Sequence, residues 1–262
     1  MALLRHTAGG LAELARADDL DARIAGQMVM TTGRRPSPAE QLSWKRSLPV
    51  LAQDLVQAGL ERVEVLVEHH LPLTSKRVDV VVAGRHPTTG DPSYVVVELK
   101  QWSSARLFED DPSLVLVDGM HGGPKLHPVL QVRGYCEYLK GFSKILHDLP
   151  DPLAGVAYLH NATDDNTAAL HELPPDQFGR LFTAQRRGDL IALLRERLDP
   201  DVDGAPYADA LLSSAVAPST QLLSVAAEEI RQRERFVLLA KQRLAYEHVL
   251  HAVERHRRKD GK

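Results

Sequence analysis

Two valine-rich runs carry charges where a strand normally has none. The first is Arg77-Val-Asp79-Val-Val-Val; the second, after a turn-rich gap from Gly84 to Pro92, is Tyr94-Val-Val-Val-Glu98-Leu-Lys100. Side chains alternate across a strand, so Glu98 and Lys100 share one face while Val95, Val97 and Leu99 take the other. An ionised group withdrawn from water is costly unless it is paired or binds a metal. Hard cations such as Mg2+ accept carboxylate and carbonyl oxygens plus waters, and a neighbouring Lys can orient or help deprotonate one of those waters. Asp79, Glu98 and Lys100 therefore have the residue types of a cation-assisted hydrolytic site. A plain ion pair of Lys100 with Asp79 or Glu98 in an ordinary sheet uses the same residues, and the hairpin alone leaves both readings open.

The surrounding elements must hold these charges together. Ser37-Pro38-Ala39-Glu40 reads as a helix start, with an N-cap Ser, Pro at the first helical position and a Glu placed to close a capping box. Trp44, Leu48, Leu51 and Leu55 form its apolar side and Gly59 marks its end. Strands are expected at Arg62 to Glu68, Arg77 to Ala83 and Tyr94 to Lys100, followed by a helix from His127-Pro128 to about Gly141 and a strand from Leu153 to Leu159. The expected order is α-β-β-β-α-β. On the later helix, Val129, Val132, Cys136 and Leu139 form a buried stripe, with His127, Gln131, Tyr135 and Tyr138 expected on the opposite side.

Together these features resemble the PD-(D/E)XK nuclease superfamily. Asp79 matches the motif's Asp, Glu98-Leu99-Lys100 its tripeptide, and Gln131 with Tyr135 the Gln/Tyr helix of the RecB-like branch; Val78 stands where Pro is common. Ser43-Trp44, Leu71 to Asp79, Val97 to Trp102, His127-Pro128 and Leu159-His160-Asn161 narrow the likeness to the nuclease-like region preceding a Schlafen-type superfamily 1 helicase in bacterial proteins. Phe236 to Gln242 is similar to the segment before that helicase's phosphate loop, yet no G-x-x-x-x-G-K-[ST] occurs, so ATP hydrolysis has no support.

The resemblance implies a restriction-endonuclease-like α/β core, with a mixed central sheet flanked by helices. It also implies metal-dependent hydrolysis of phosphodiester bonds in DNA, ahead of RNA. Asp79, Glu98 and the Leu99 carbonyl would hold Mg2+ or Mn2+, and Lys100 would position water. Glu40 is the additional acid from the first helix, at the rim of the Trp44 stripe, unless its capping-box role claims it, and Glu68 at a strand end is a weaker candidate. Gln131 and Tyr135 would hold a phosphate or nucleotide by hydrogen bond and stacking. Arg77 belongs with Arg34-Arg35, Lys45-Arg46, Lys76, Arg133 and the tail from Arg255 to Lys259 as candidate phosphate contacts. The alternative is a catalytically silent nucleic-acid-binding or helicase-regulating module of the same fold.

Composition bounds the remainder. With 262 residues, 44% of them hydrophobic, the chain can bury one core and a helical annex. The nuclease-like domain is expected over 1–200, with its core at about 37–160. Asp199 to Pro206 reads as a linker, and 201–262 as a helical annex, either a solvated helix pair packed on the domain or a docking segment for a helicase or a second copy. The net charge of −3 places any nucleic-acid contact on local patches rather than on the whole surface. One cysteine excludes an internal disulfide, and no apolar run approaches the roughly 18 residues of a membrane span, so a cytoplasmic location is expected.

Overall fold

Strand β1 (Leu4–Thr7) leads into helices α1 (Ala8–Arg16), α2 (Leu20–Thr32) and α3 (Pro38–Gln57). Strands β2 (Glu64–His70), β3 (Arg77–Arg85) and β4 (Pro92–Lys100) follow, then β5 (Ala105–Phe108), β6 (Asp111–Val117) and β7 (Lys125–Leu126). Helix α4 (Pro128–Phe142), strands β8 (Leu153–Leu159) and β9 (Arg180–Thr183), and helices α5 (Arg187–Arg197) and α6 (Ala205–Leu212) complete the order. The computed structural model describes residues 1–120, 122–220 and 222–224.

The protein is α/β, built on a mixed six-stranded sheet in the order β1-β2-β3-β4-β8-β9. The first four strands pair antiparallel, whereas β8 lies parallel to both β4 and β9. Helices cover both faces, which is why the central strands are almost continuously apolar instead of alternating. Val95, Val97 and Leu99 pack into the cluster that contains Leu11, Ile24, Leu48 and Leu190 of α1, α2, α3 and α5. Tyr94 and Val96 face the cluster formed with Val132 and Cys136 of α4 and Ala208 of α6. Glu98 continues this second row, and its carboxylate therefore points towards α4.

The expected order is present as α3-β2-β3-β4-α4-β8, with β2 running Glu64–His70 and not Arg62 to Glu68. Between β4 and α4 lies an unexpected second sheet of three strands, β5-β6-β7, over a small core of Trp102, Ala105, Val115 and Leu159. The N-terminal elements and β9 were also absent from the sequence reading.

The expected break at Asp199 to Pro206 is corrected. The first unit extends to Ser219, and the second spans Thr220–Lys262. Asp199 accepts from Arg85 Nη2 at 2.6 Å, and Tyr94 Oη donates to the Tyr207 carbonyl at 3.0 Å. A Cβ on Gly204 would lie 2.3 Å from the Glu64 amide nitrogen, so only glycine fits where this segment crosses the sheet. The helical annex expected beyond Ser219 falls almost wholly outside the described residues.

Candidate active site

Asp79 and Glu98 come from adjacent strands and meet at the end of the sheet. The Leu99 amide donates to Asp79 Oδ2 at 2.8 Å, tying the β3 carboxylate to the backbone of β4. Glu98 is 2% exposed. Its Oε1 accepts from Lys100 Nζ at 2.6 Å and from Gln131 Nε2 at 2.7 Å. The Gln131 oxygen in turn accepts from Lys100 Nζ at 3.1 Å, and Gln131 Nε2 also donates to Tyr135 Oη at 2.9 Å. The structure thus brings Asp79, Glu98, Lys100, Gln131 and Tyr135 into one constellation. Glu98 Oε2 is buried and has no hydrogen-bond partner.

Electrostatics in this group follow from burial. Removal from water, with Asp79 adding repulsion, pushes the Glu98 carboxyl up to about 8 against the pull of Lys100. Burial likewise raises Asp79, opposed by Lys100 and by the Leu99 amide. Burial and then Glu98 raise the Tyr135 hydroxyl to about 12, which keeps it neutral where it accepts from Gln131 Nε2. Lys100 also sits 5.3 Å from the Trp102 ring centroid, a cation–π contact that helps to fix its direction.

Glu40 and Arg77 are placed side by side in a separate ion-pair chain. Glu40 closes the capping box of α3, accepting from the Ser37 amide at 2.8 Å, and pairs with Arg34 at 2.6 Å and Arg77 at 3.0 Å. Burial is outweighed by the Ser37 groups and the two arginines, which hold Glu40 down at about 2. Arg77 Nε also meets Glu68 Oε2 at 3.0 Å, while Glu68 Oε1 accepts from Trp44 Nε1 at 2.7 Å. Of the other expected phosphate contacts, Lys45 pairs with Asp18 and Arg133 with Asp176.

On α4, Val129, Val132, Cys136 and Leu139 are buried as expected. The Gln131 stripe adjoins this row and does not oppose it. At about 100° per residue the two rows lie roughly 120° apart, so both can look onto the sheet. His127 is itself buried, and its Nδ1 accepts from the Val129 amide as the helix cap.

A cleft of about 420 Å3 opens over Asp79, Glu98 and Lys100. One wall is α3 through Ala39 and Ser43; the other is the inserted sheet and its loop through Val117, Asp118 and Met120. Sequence reasoning missed Val117, Asp118 and Met120, because nothing in their spacing marks an insertion, and gave Ala39 and Ser43 no place in the site. It also missed Gln101, whose Nε2 donates to the Ser43 carbonyl at 3.3 Å and to Ser47 Oγ at 3.2 Å and so ties α3 to the end of β4. A groove of about 790 Å3 between β9 and α5 is larger, but Asp79, Glu98 and Lys100 do not line it.

The donor set fits a hard divalent cation in one respect. A buried carboxylate oxygen without a partner, beside a second carboxylate, has the oxygen chemistry that Mg2+ or Mn2+ requires. Asp79, Glu98 and the Leu99 carbonyl are the groups that could hold it. Among the described residues no group of three or more His, Cys, Asp or Glu side chains is arranged to hold a metal ion, since Glu40 and Glu68 are turned to arginine. No described helix is long and apolar enough to cross a membrane. Comparison with family models, curated proteins and solved structures finds no match to this chain.

Proposed function

We propose that the chain is a divalent-metal-dependent nuclease with a restriction-endonuclease-like core, hydrolysing phosphodiester bonds of DNA ahead of RNA. The observation that carries this reading is the unpartnered, buried Glu98 Oε2 beside Asp79, in a group whose other members are Lys100 and Gln131. The order α3-β2-β3-β4-α4-β8 agrees with it. Asp79, Glu98 and the Leu99 carbonyl would hold the divalent cation, which would supply Lewis-acid polarisation of the phosphodiester and acidify a bound water. Lys100 orients the attacking water and offsets charge that develops on the phosphate. Gln131 fixes Glu98 and Lys100 relative to each other, and Tyr135 buttresses Gln131. The walls of the 420 Å3 cleft limit how the scissile strand enters.

The test is a panel of labelled single- and double-stranded DNA and RNA incubated with Mg2+, Mn2+ or EDTA. Cleavage of some substrate is expected with either cation and not with EDTA, and Asp79→Ala or Glu98→Ala should abolish it. Unaltered cleavage by both variants would remove them from the site. A catalytically silent binding module of the same fold is the second reading, and what supports it is that no group of three or more His, Cys, Asp or Glu among the described residues is arranged to hold a metal ion. Binding without cleavage across the panel would select it.

A further inference from the structure

A third carboxylate stands next to the Asp79–Glu98 pair but is engaged elsewhere. Glu68 belongs to β2, beside β3, and its φ of 51° lies in the left-handed region, which a non-glycine residue adopts only where its surroundings enforce it. Its side chain is 13% exposed. Trp44 Nε1 holds one carboxylate oxygen at 2.7 Å and Arg77 Nε holds the other at 3.0 Å, while the same guanidinium reaches Glu40 at 3.0 Å. Glu40 does not depend on Arg77, because Arg34 and the capping box also satisfy it.

Between Glu68 and Asp79 is a cavity of about 20 Å3, walled also by Trp44, Ser47 and Leu99. That is room for one water or one small cation, since a single occupant needs ~10–15 Å3. Asp79 lines both this cavity and the larger cleft, so it joins Glu68 to the Glu98 side. Glu98 contributes a buried oxygen with no partner. Asp79 is thus shared: Glu68 meets it in the small cavity and Glu98 in the cleft, although among the described residues the three acids are not arranged as one metal-holding group.

We infer that Arg77 is an internal competitor for the cation: by holding Glu68 Oε2 it keeps the third carboxylate out of the Asp79–Glu98 site, and its release would let Glu68 complete the set. The inference rests on the cation reading of Asp79 and Glu98. The change required is a rotation of the Glu68 carboxylate, which also loosens its bond from Trp44 Nε1, so Arg77 and Trp44 together set its present direction.

Calorimetric titration of the full chain with Mn2+ tests this through affinity, without reference to cleavage. Arg77→Gln should bind Mn2+ more tightly, on the order of ten-fold, as expected for one added carboxylate ligand. In a Glu68→Gln background the same substitution should give no such gain. A gain that persists with Glu68→Gln would mean that Arg77 acts through its charge alone, and would overturn the inference. Unchanged or weaker binding by Arg77→Gln would overturn it as well. Should Arg77→Gln fail to fold, Arg77→Lys, which loses the fork spanning Glu40 and Glu68, replaces it, with a smaller gain that again vanishes with Glu68→Gln. Absence of Mn2+ binding in every variant overturns the cation reading together with the inference, whereas binding that ignores Arg77 overturns the inference alone.

Discussion

Gln131 is hydrogen-bonded to Glu98 across the interface between α4 and the sheet, Nε2 to Oε1 at 2.7 Å, and its own oxygen accepts from Lys100 at 3.1 Å. One neutral amide thereby sets the relative position of a carboxylate and an ammonium two residues apart on β4. Gln131 is thus a positioning residue for both charges, a role distinct from the nucleotide contact expected from its helix.

Gln131→Ala should then weaken cation binding as well as cleavage. Loss of a partner that orients a metal-binding carboxylate typically costs 10–100-fold in affinity or activity. Tyr135→Phe, which removes only the hydroxyl that meets Gln131, should give a milder version of the same loss. Mn2+ titration alongside cleavage rates checks both variants. Wild-type affinity and rate in Gln131→Ala would show that Glu98 is held without it.

The raised Glu98 carboxyl predicts how stability varies with pH. Its folded value of about 8 lies above the ordinary 4.5, with burial as the main cause and Asp79 second. Between these values the folded chain retains a proton that the unfolded chain has lost, so stability should fall as pH rises through that window. Asp79, also raised by burial, acts in the same direction. Mg2+ favours the ionised carboxylates and should flatten the dependence. Denaturant melts in EDTA from about pH 5 to 8 should show the decline in wild type and a smaller one in Glu98→Gln. The histidines that burial lowers, His69 above all, add the opposite slope below about pH 6.5 in both proteins, so the decisive reading is the difference: curves of wild type and Glu98→Gln with the same slope would contradict the burial argument.

The parts of this fold that were legible in the sequence are those whose periodicity is enforced by burial. Strand β8 was read at Leu153 to Leu159 because every residue in it is buried, and α3 because Ser37, Pro38 and Glu40 form a cap whose hydrogen bonds are present. The alternation placing Glu98 with Lys100 is a property of any strand, and their 2.6 Å contact follows from it. The link between Gln131 and Glu98 was not legible, since it depends on how α4 lies on the sheet. Nor was the left-handed Glu68, because no residue type encodes a φ that the surroundings impose. The segment from Asp199 to Pro206 misled for a different reason. Asp, Gly and Pro favour a linker by propensity, yet here they cap and turn a chain that packs, with Gly204 serving close approach to the sheet.

That packing gives a direct test. A chain ending after Pro200 loses Ala208 and Leu211, which are buried against Val81 and Tyr94, and strands the Tyr94 hydroxyl that donates to the Tyr207 carbonyl. It should be poorly folded, whereas a chain ending after Ser219 should melt cooperatively. Within the full chain, Gly204→Ala should cost about 1–3 kcal/mol, the usual scale for overpacking. Equal melting temperatures for the two truncations would restore the boundary near residue 200.

Lys100 separates a catalytic centre from a structural ion pair. Its ammonium contacts Glu98 and Gln131 and lies near Trp102, so either role is compatible with its position. The readings differ in what removal leaves behind. A purely structural pair strands a buried carboxylate, typically about 3–5 kcal/mol, whereas Glu98 with a cation at hand already has a counter-charge. Below its raised pKa Glu98 can also take up a proton, which limits the loss in metal-free buffer. Lys100→Met should consequently fold nearly normally at about pH 6 with or without metal, and at about pH 9.5 better with excess Mg2+ than without, because loss of Lys100 removes the pull that lowers the Glu98 carboxyl. Cleavage should still fall by about 10²-fold or more, the scale for a group that orients water or stabilises transition-state charge. Melting curves at the two pH values, with and without Mg2+, together with single-turnover cleavage, distinguish the cases. If Lys100→Met unfolds even in excess Mg2+, or cleaves at the wild-type rate, Lys100 belongs to the fold and the hydrolytic centre must be built without it.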